Sequence, residues 1–182
     1  NAMMTIDTER DGTYKNVCVL SGTNNAYTAA DVRKSFTTIT NTSTILMQNF
    51  KYPDKGGSDN IKMIRYEEVL LNAAEAQLPV NGGSQTLADK YYNLIGANRI
   101  TGYTNLTNVT LAQVKAERRR ELLGEGFRMW DLLRWGDPVP VATSTGSTTG
   151  TAVTLLIGDK RLAFPIPQSE TNVSGTLVTS NP

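Results

Sequence analysis

Glu117-Arg118-Arg119-Arg120-Glu121-Leu122-Leu123-Gly124-Glu125-Gly126-Phe127-Arg128-Met129-Trp130-Asp131-Leu132-Leu133-Arg134-Trp135-Gly136 holds most of the chain's informative chemistry. Both tryptophans of the chain stand in it beside five arginines and four carboxylates. Burying Trp130 and Trp135 gains roughly 25 cal/mol per Å² of apolar area, but an arginine drawn in with them needs a carboxylate or a carbonyl as partner. Helical spacing puts Glu117 near Arg120, Arg118 near Glu121, and Asp131 near both Arg128 and Arg134. The expectation is a structural ion-pair cluster of Arg118, Glu121, Glu125, Arg128, Asp131 and Arg134, with at least two of the three arginines buried.

The ends of this element are also legible. Thr110-Leu111-Ala112-Gln113 has the form of a capping box and places a helix start at Thr110. Gly136 before Asp137-Pro138 is a stop signal, because glycine accepts the left-handed conformation that follows a helix and proline cannot continue the ladder. Gly124 and Gly126 each cost about 1 kcal/mol in a helix interior, so two helical pieces with a bend between them are expected.

Three segments together resemble one family. Glu117 to Gly136 is similar to the signature helix of the SusD/RagB-like outer-membrane nutrient-binding proteins. Ile64-Arg65-Tyr66-Glu67-Glu68-Val69-Leu70-Leu71-Asn72-Ala73-Ala74-Glu75-Ala76 resembles their R-Y-A-E-V-L-L-N-x-A-E-A helix, and Phe164-Pro165-Ile166-Pro167-Gln168-Ser169-Glu170 resembles their F-P-I-P-x-x-E segment. Asp31-Val32-Arg33-Lys34 is similar to a D-x-R-K segment, and Asn181-Pro182 to the N-P near the family's end. The resemblance covers about residues 30 to 182 and reads as the C-terminal portion of such a protein. It implies a non-catalytic protein that binds a nutrient, an oligosaccharide ligand above all, at the cell outer membrane beside a SusC-like TonB-dependent transporter. It also implies tetratricopeptide-like helix pairs. One departure is Gly96, which stands where the family's L-N-x-I-R-x-R run has an arginine, and places helix stability there in question by about 1 kcal/mol.

Composition narrows the chemistry independently. Eighteen basic against seventeen acidic residues leave a formal net charge of +1, and acidic neighbours flank the Arg118-Arg119-Arg120 run, which argues against a nucleic-acid footprint. The chain has no histidine and a single cysteine, Cys18. Ser-His and Cys-His catalysis, cysteine-rich zinc sites and an internal disulfide are thereby excluded, and no cofactor or metal is expected. Paired carboxylates could serve glycoside hydrolysis, but most acidic residues here lie at helical spacing to arginines, so no enzyme is expected. No run of about 18 apolar residues occurs, and Lys15-Asn16-Val17-Cys18 does not resemble a lipobox. The four Asn-x-Ser/Thr sequons carry no weight as chance patterns.

The chain divides into a tag remnant at residues 1–2 and one domain over 3–182, of α+β and mainly α class. Residues 3–58 read as irregular with short strands, at 14–20 and 44–50, and a short helix over 28–36 with Asp31 at a capping-box position. Tyr14, Asn24, Asn25 and Tyr27 are the ligand-binding candidates, since aromatic faces and amides suit sugar rings and hydroxyls; loop surface is the competing reading. Residues 59–136 form the helical scaffold. A helix over 59–78, capped by Asp59, presents Met63, Tyr66, Leu70, Ala73 and Gln77 on one side, and a second from Thr86 or Leu87 to about Asn98 buries Leu87, Tyr91, Leu94 and Ile95. Residues 137–182 contain a β-hairpin turning at Gly158-Asp159 and an extended tail fixed by Pro165 and Pro167.

Two readings from different classes remain: the nutrient receptor, and a truncated helical scaffold module for protein-protein interaction that binds no sugar itself. The sequence further leads us to expect apolar faces around Ala73 to Leu78 and Tyr91 to Ile95, covered by an absent N-terminal half or by a second copy in a homodimer.

Overall fold

The structure, a computed structural model, describes residues 25–39, 46–48, 60, 62–142, 152–163 and 166–174. It is mainly helical. A 3₁₀ turn over Val32–Phe36 leads into β1 (Thr37–Ile39), which pairs antiparallel with β2 (Leu46–Gln48), Thr38 opposite Met47. The helices are α1 (Tyr66–Ala76), α2 (Gln85–Arg99), α3 (Leu111–Glu121), α4 (Phe127–Trp135) and α5 (Gln168–Ser174). Strands β3 (Val139–Ala142) and β4 (Ala152–Leu155) form a second antiparallel pair.

The chain forms two compact units, one over 1–128 with 144–150 and one over 129–143 with 151–182. In the first, α1 packs against both α2 and α3. Leu70, Leu71, Ala74 and Leu78 from the α1 side meet Ala88, Tyr92 and Ile95 of α2, with Val109 and Val114 closing the core. In the second, Leu132, Val139 and Leu155 make a smaller core, against which Leu133 and Leu162 pack.

Local signals act as their chemistry dictates in the signature stretch. Gln113 N–H donates to the Thr110 hydroxyl oxygen at 3.3 Å while Thr110 N–H donates to Gln113 Oε1 at 2.8 Å, so both halves of the capping box form. Helix α3 stops at Glu121, and Gly124 and Gly126 take φ of 77° and 84°, values open to glycine without a Cβ penalty, before α4 begins. Gly136, at φ 70°, ends α4 as expected.

Several expectations are corrected. Helix α1 starts at Tyr66 behind Arg65, not at 59, and Asp59 lies outside the described residues. Its buried face is Leu70, Leu71 and Ala74, whereas Tyr66 and Val69 face out. On α2 the buried set is Ala88, Tyr92, Asn93, Ile95 and Gly96; Leu87 and Leu94 are exposed, because the register is turned by one residue. The C-terminal hairpin is built from β3 and β4, and Gly158-Asp159 instead leads into a 3₁₀ turn over Lys160–Leu162, where the Asp159 carboxylate accepts from Arg161 N–H. Residues 168–174 of the expected extended tail are helical. Residues 28–36 hold a 3₁₀ turn rather than an α-helix, and the strand expected at 14–20 lies outside the described residues.

Candidate functional site: a buried arginine and carboxylate cluster

Charge gathers where the segment before β1 meets α2 and α3. Arg33 is 1% exposed, and its guanidinium is closed off on every edge. Nε and Nη2 donate to the two oxygens of Asp31 at 2.9 and 2.7 Å, and Nη1 donates to Glu117 Oε1 at 2.5 Å and Glu121 Oε2 at 2.8 Å. The bidentate fork to Asp31 is local, two residues apart, while the other bonds reach across 84 and 88 residues. Asp31 is fixed in turn by a backbone bridge to Ile100 and by accepting Arg33 N–H. The segment therefore carries a preassembled Asp-Arg pair into the helices.

Glu121 is the hub. One oxygen accepts from Arg65 Nη1 at 2.9 Å and the other from Arg99 Nε at 3.0 Å and from Arg33. Arg65 also forks onto Glu125 and donates to the Glu121 carbonyl at 2.8 Å, which ties the residue before α1 to the first open turn after α3. Arg99 bridges to Glu67 on α1 at 2.5 Å, and Arg120 pairs with Glu117 one turn away. Burial alone would raise the Glu121 carboxyl, but the bonds and charge of Arg99, then Arg65 and Arg33, outweigh it and hold the group at about 2. Arg33 and Arg65 are correspondingly pushed above the usual arginine value against their own desolvation.

Tyr27 seals one side. It is 3% exposed, donates its hydroxyl to the Arg120 carbonyl at 2.8 Å, and lies with its ring centroid 5.7 Å from the Arg33 guanidinium carbon. Burial pushes its hydroxyl up to about 12. Tyr27, a sugar-contact candidate by sequence, is thus a core residue. Asn25 is exposed, and Tyr14 and Asn24 lie outside the described residues.

The cluster expected from the signature stretch is only partly the one observed. Glu121 and Glu125 are its acceptors, but the guanidiniums come from Arg33, Arg65 and Arg99. Arg118 is buried and donates to Asn72 Oδ1 at 2.6 Å. Asp131 is buried and accepts from Arg134 at 3.0 Å, three residues on, with the Arg134 side chain 42% exposed and its guanidinium 4.4 Å from the Trp135 ring. Arg128 is exposed, and Trp130 is 62% exposed rather than buried. Spacing along one helix finds neighbours on that helix; it is silent about arginines 20 to 90 residues away. Arg33 and Arg65 nevertheless lie inside the segments that carry the family resemblance, which is the signal that points to them.

Chemically this arrangement is closed. Among the described residues no buried side-chain nitrogen or oxygen lacks a hydrogen-bond partner, and no group of acidic or cysteine ligands is spaced to hold a metal. Each carboxylate is saturated by arginine, a state that suits holding helices in register and not proton transfer.

The sequence profile of the SusD family matches residues 4–182. This chain belongs to the SusD family. A SusD superfamily protein from Bacteroides thetaiotaomicron VPI-5482 superposes with a TM-score of 0.77 at 30% identity, covering 100% of this chain and 44% of that one. A putative sugar binding protein from Bacteroides vulgatus ATCC 8482 gives 0.77 at 26%, covering 100% and 42%, and surface glycan-binding protein A from Bacteroides uniformis gives 0.62 at 27%, covering 88% and 40%. The SusD-like chain spans less than half the length of these solved relatives. Comparison with curated proteins gives no match. No helix among the described residues is long and apolar enough to cross a membrane.

Proposed function

We propose that this SusD-like chain is part of a non-catalytic oligosaccharide receptor, displayed at the outer-membrane surface and delivering its ligand to a SusC-like TonB-dependent transporter. The observation that carries the reading is family membership joined to a saturated charge cluster: the densest set of ionisable groups described here is committed to scaffolding. Its carboxylates are locked by arginine, so acid-base work on a glycosidic bond has no free pair in that cluster. Relatives named as sugar-binding and glycan-binding proteins give the ligand class. A scaffold is what a sugar platform needs behind it, since recognition requires converging groups held by rigid elements.

Isothermal titration of the chain, and of a full-length protein that contains it, against a panel of oligosaccharides tests the proposal. Binding without release of reducing ends is the expected result. Failure of the full-length protein to bind any of them, or steady release of reducing ends, would refute it.

A further inference from the structure

Asn81-Gly82 is the one Asn-Gly step in the sequence, and it lies exposed in the turn that joins α1 to α2. Asparagine is a thermolabile residue, and before glycine it is most open to attack on its carboxamide, because the following residue has no side chain to hinder its own backbone nitrogen. In this turn both reacting groups are engaged. Asn81 ends a 3₁₀ turn over Pro79–Asn81, and its Nδ2 donates to the Glu75 carbonyl at 2.8 Å. Gly82, at φ 81°, donates its N–H to the Pro79 carbonyl at 2.9 Å, and Gly83 N–H donates to the Leu78 carbonyl at 3.3 Å. Gln77 closes the far side, its Oε1 accepting Ser84 N–H at 3.0 Å.

We propose that Asn81 is a deamidation site gated by this turn, slow to react while the turn is closed and released when it opens. The Gly82 backbone nitrogen, its proton taken by hydroxide, attacks Asn81 Cγ. The new C–N bond closes a succinimide ring, and the side-chain nitrogen leaves as ammonia. Water then opens either carbonyl of the ring, giving aspartate or its β-linked isomer. The closed turn opposes each stage: the Gly82 proton is engaged by Pro79, the leaving nitrogen by Glu75, and ring closure must swing the Gly82 nitrogen away from Pro79 toward Asn81 Cγ. The change is one-way. A carboxylate at position 81 has no proton for the Glu75 carbonyl, so two acceptors would face each other where the 2.8 Å bond stood. The β-linked isomer adds a backbone methylene to a turn so tight that a Cβ on Gly83 would collide with the Gln77 backbone. A modified molecule therefore cannot remake the closed turn between α1 and α2.

The test follows Asn81 at mildly alkaline pH in the folded chain and in the chain unfolded by urea, using peptide mapping by mass spectrometry to separate the asparagine, aspartate and β-linked forms. Gln77→Ala, which removes the acceptor for Ser84 N–H, and Gly83→Ala, which crowds the turn, both leave Asn81-Gly82 intact. The folded parent is expected to convert at least about tenfold more slowly than the unfolded chain, the ratio for a turn open about a tenth of the time or less. Both variants, shown folded by circular dichroism, should convert faster than the folded parent and at the parent's rate in urea. Hydrogen exchange at the Gly82 amide of the parent gives the open fraction with no substitution, and that fraction should match the slowing, which keeps the test decisive if a variant does not fold. An unfolded chain that retains its Asn81 amide overturns the site. Equal rates in the folded and unfolded parent, folded variants no faster than the parent, or an open fraction that disagrees with the slowing overturn the gating.

Discussion

Arg33 is a single guanidinium that satisfies three carboxylates while almost wholly removed from water. Its replacement leaves Asp31, Glu117 and Glu121 short of a counter-charge in a desolvated place, and breaking a buried pair in this way costs about 3–5 kcal/mol. Arg33→Met is therefore expected to lower the unfolding free energy by that amount and to move the urea midpoint down accordingly, while Arg161→Met, whose partner Asp159 is at the surface, leaves the midpoint where it is; comparative denaturant melts check both. Glu121 adds a pH dependence whose sign follows from its depressed value. The carboxyl is held at about 2 in the fold against an ordinary 4.5, so its contribution is complete above about 4.5 and fades as pH falls toward 2. Melts across that window should show a declining midpoint, and Glu121→Gln, already weakened, should decline less.

Element by element, the helices owe their order to loops as much as to their own faces. Asn93, buried on α2, donates to the Leu106 carbonyl and accepts from Leu106 N–H and the Tyr103 hydroxyl, while Asp89 accepts from the N–H groups of Asn108 and Val109. Two side chains of one helix thus carry the loop that leads into α3. Gly96 belongs to the same arrangement. A Cβ there would stand 2.2 Å from Cζ of Tyr103, so the missing side chain makes room for the ring. Gly96→Ala, which would gain about 1 kcal/mol from helix propensity alone, is expected to lose 1–3 kcal/mol through overpacking. In a Tyr103→Ala background the loss should vanish, and a double-mutant cycle by thermal melting measures it. The sequence showed Gly96 as a departure from its family and a weak point; it is a contact point, because the partner ring lies in a loop whose course periodicity cannot give. Thr110, Gln113 and Gly136 were legible since caps and stops act within four residues. The buried faces of α1 and α2 were read a residue off where Tyr66, Leu87 and Leu94, apolar by type, face outward.

At the level of the molecule, the two units have separate cores of unequal size, and both tryptophans lie in the smaller. Tryptophan fluorescence therefore reports that unit, whereas far-UV circular dichroism is weighted to α1, α2 and α3. Leu132→Ala, which removes a 4%-exposed side chain from the smaller core, is expected to cost about 2–5 kcal/mol there and to shift the fluorescence transition to lower urea more than the dichroism transition. Coincident shifts would show one cooperative system. The binding surface was the least legible feature: the sequence motifs belong to the scaffold, and the one aromatic candidate described, Tyr27, is occupied in holding Arg33. That hold has a consequence in time. Arg33 and its acceptor Glu121 are 88 residues apart, and synthesis proceeds at about 5–20 residues per second. During translation the Asp31-Arg33 segment accordingly waits roughly 4–18 s for the helix that receives it.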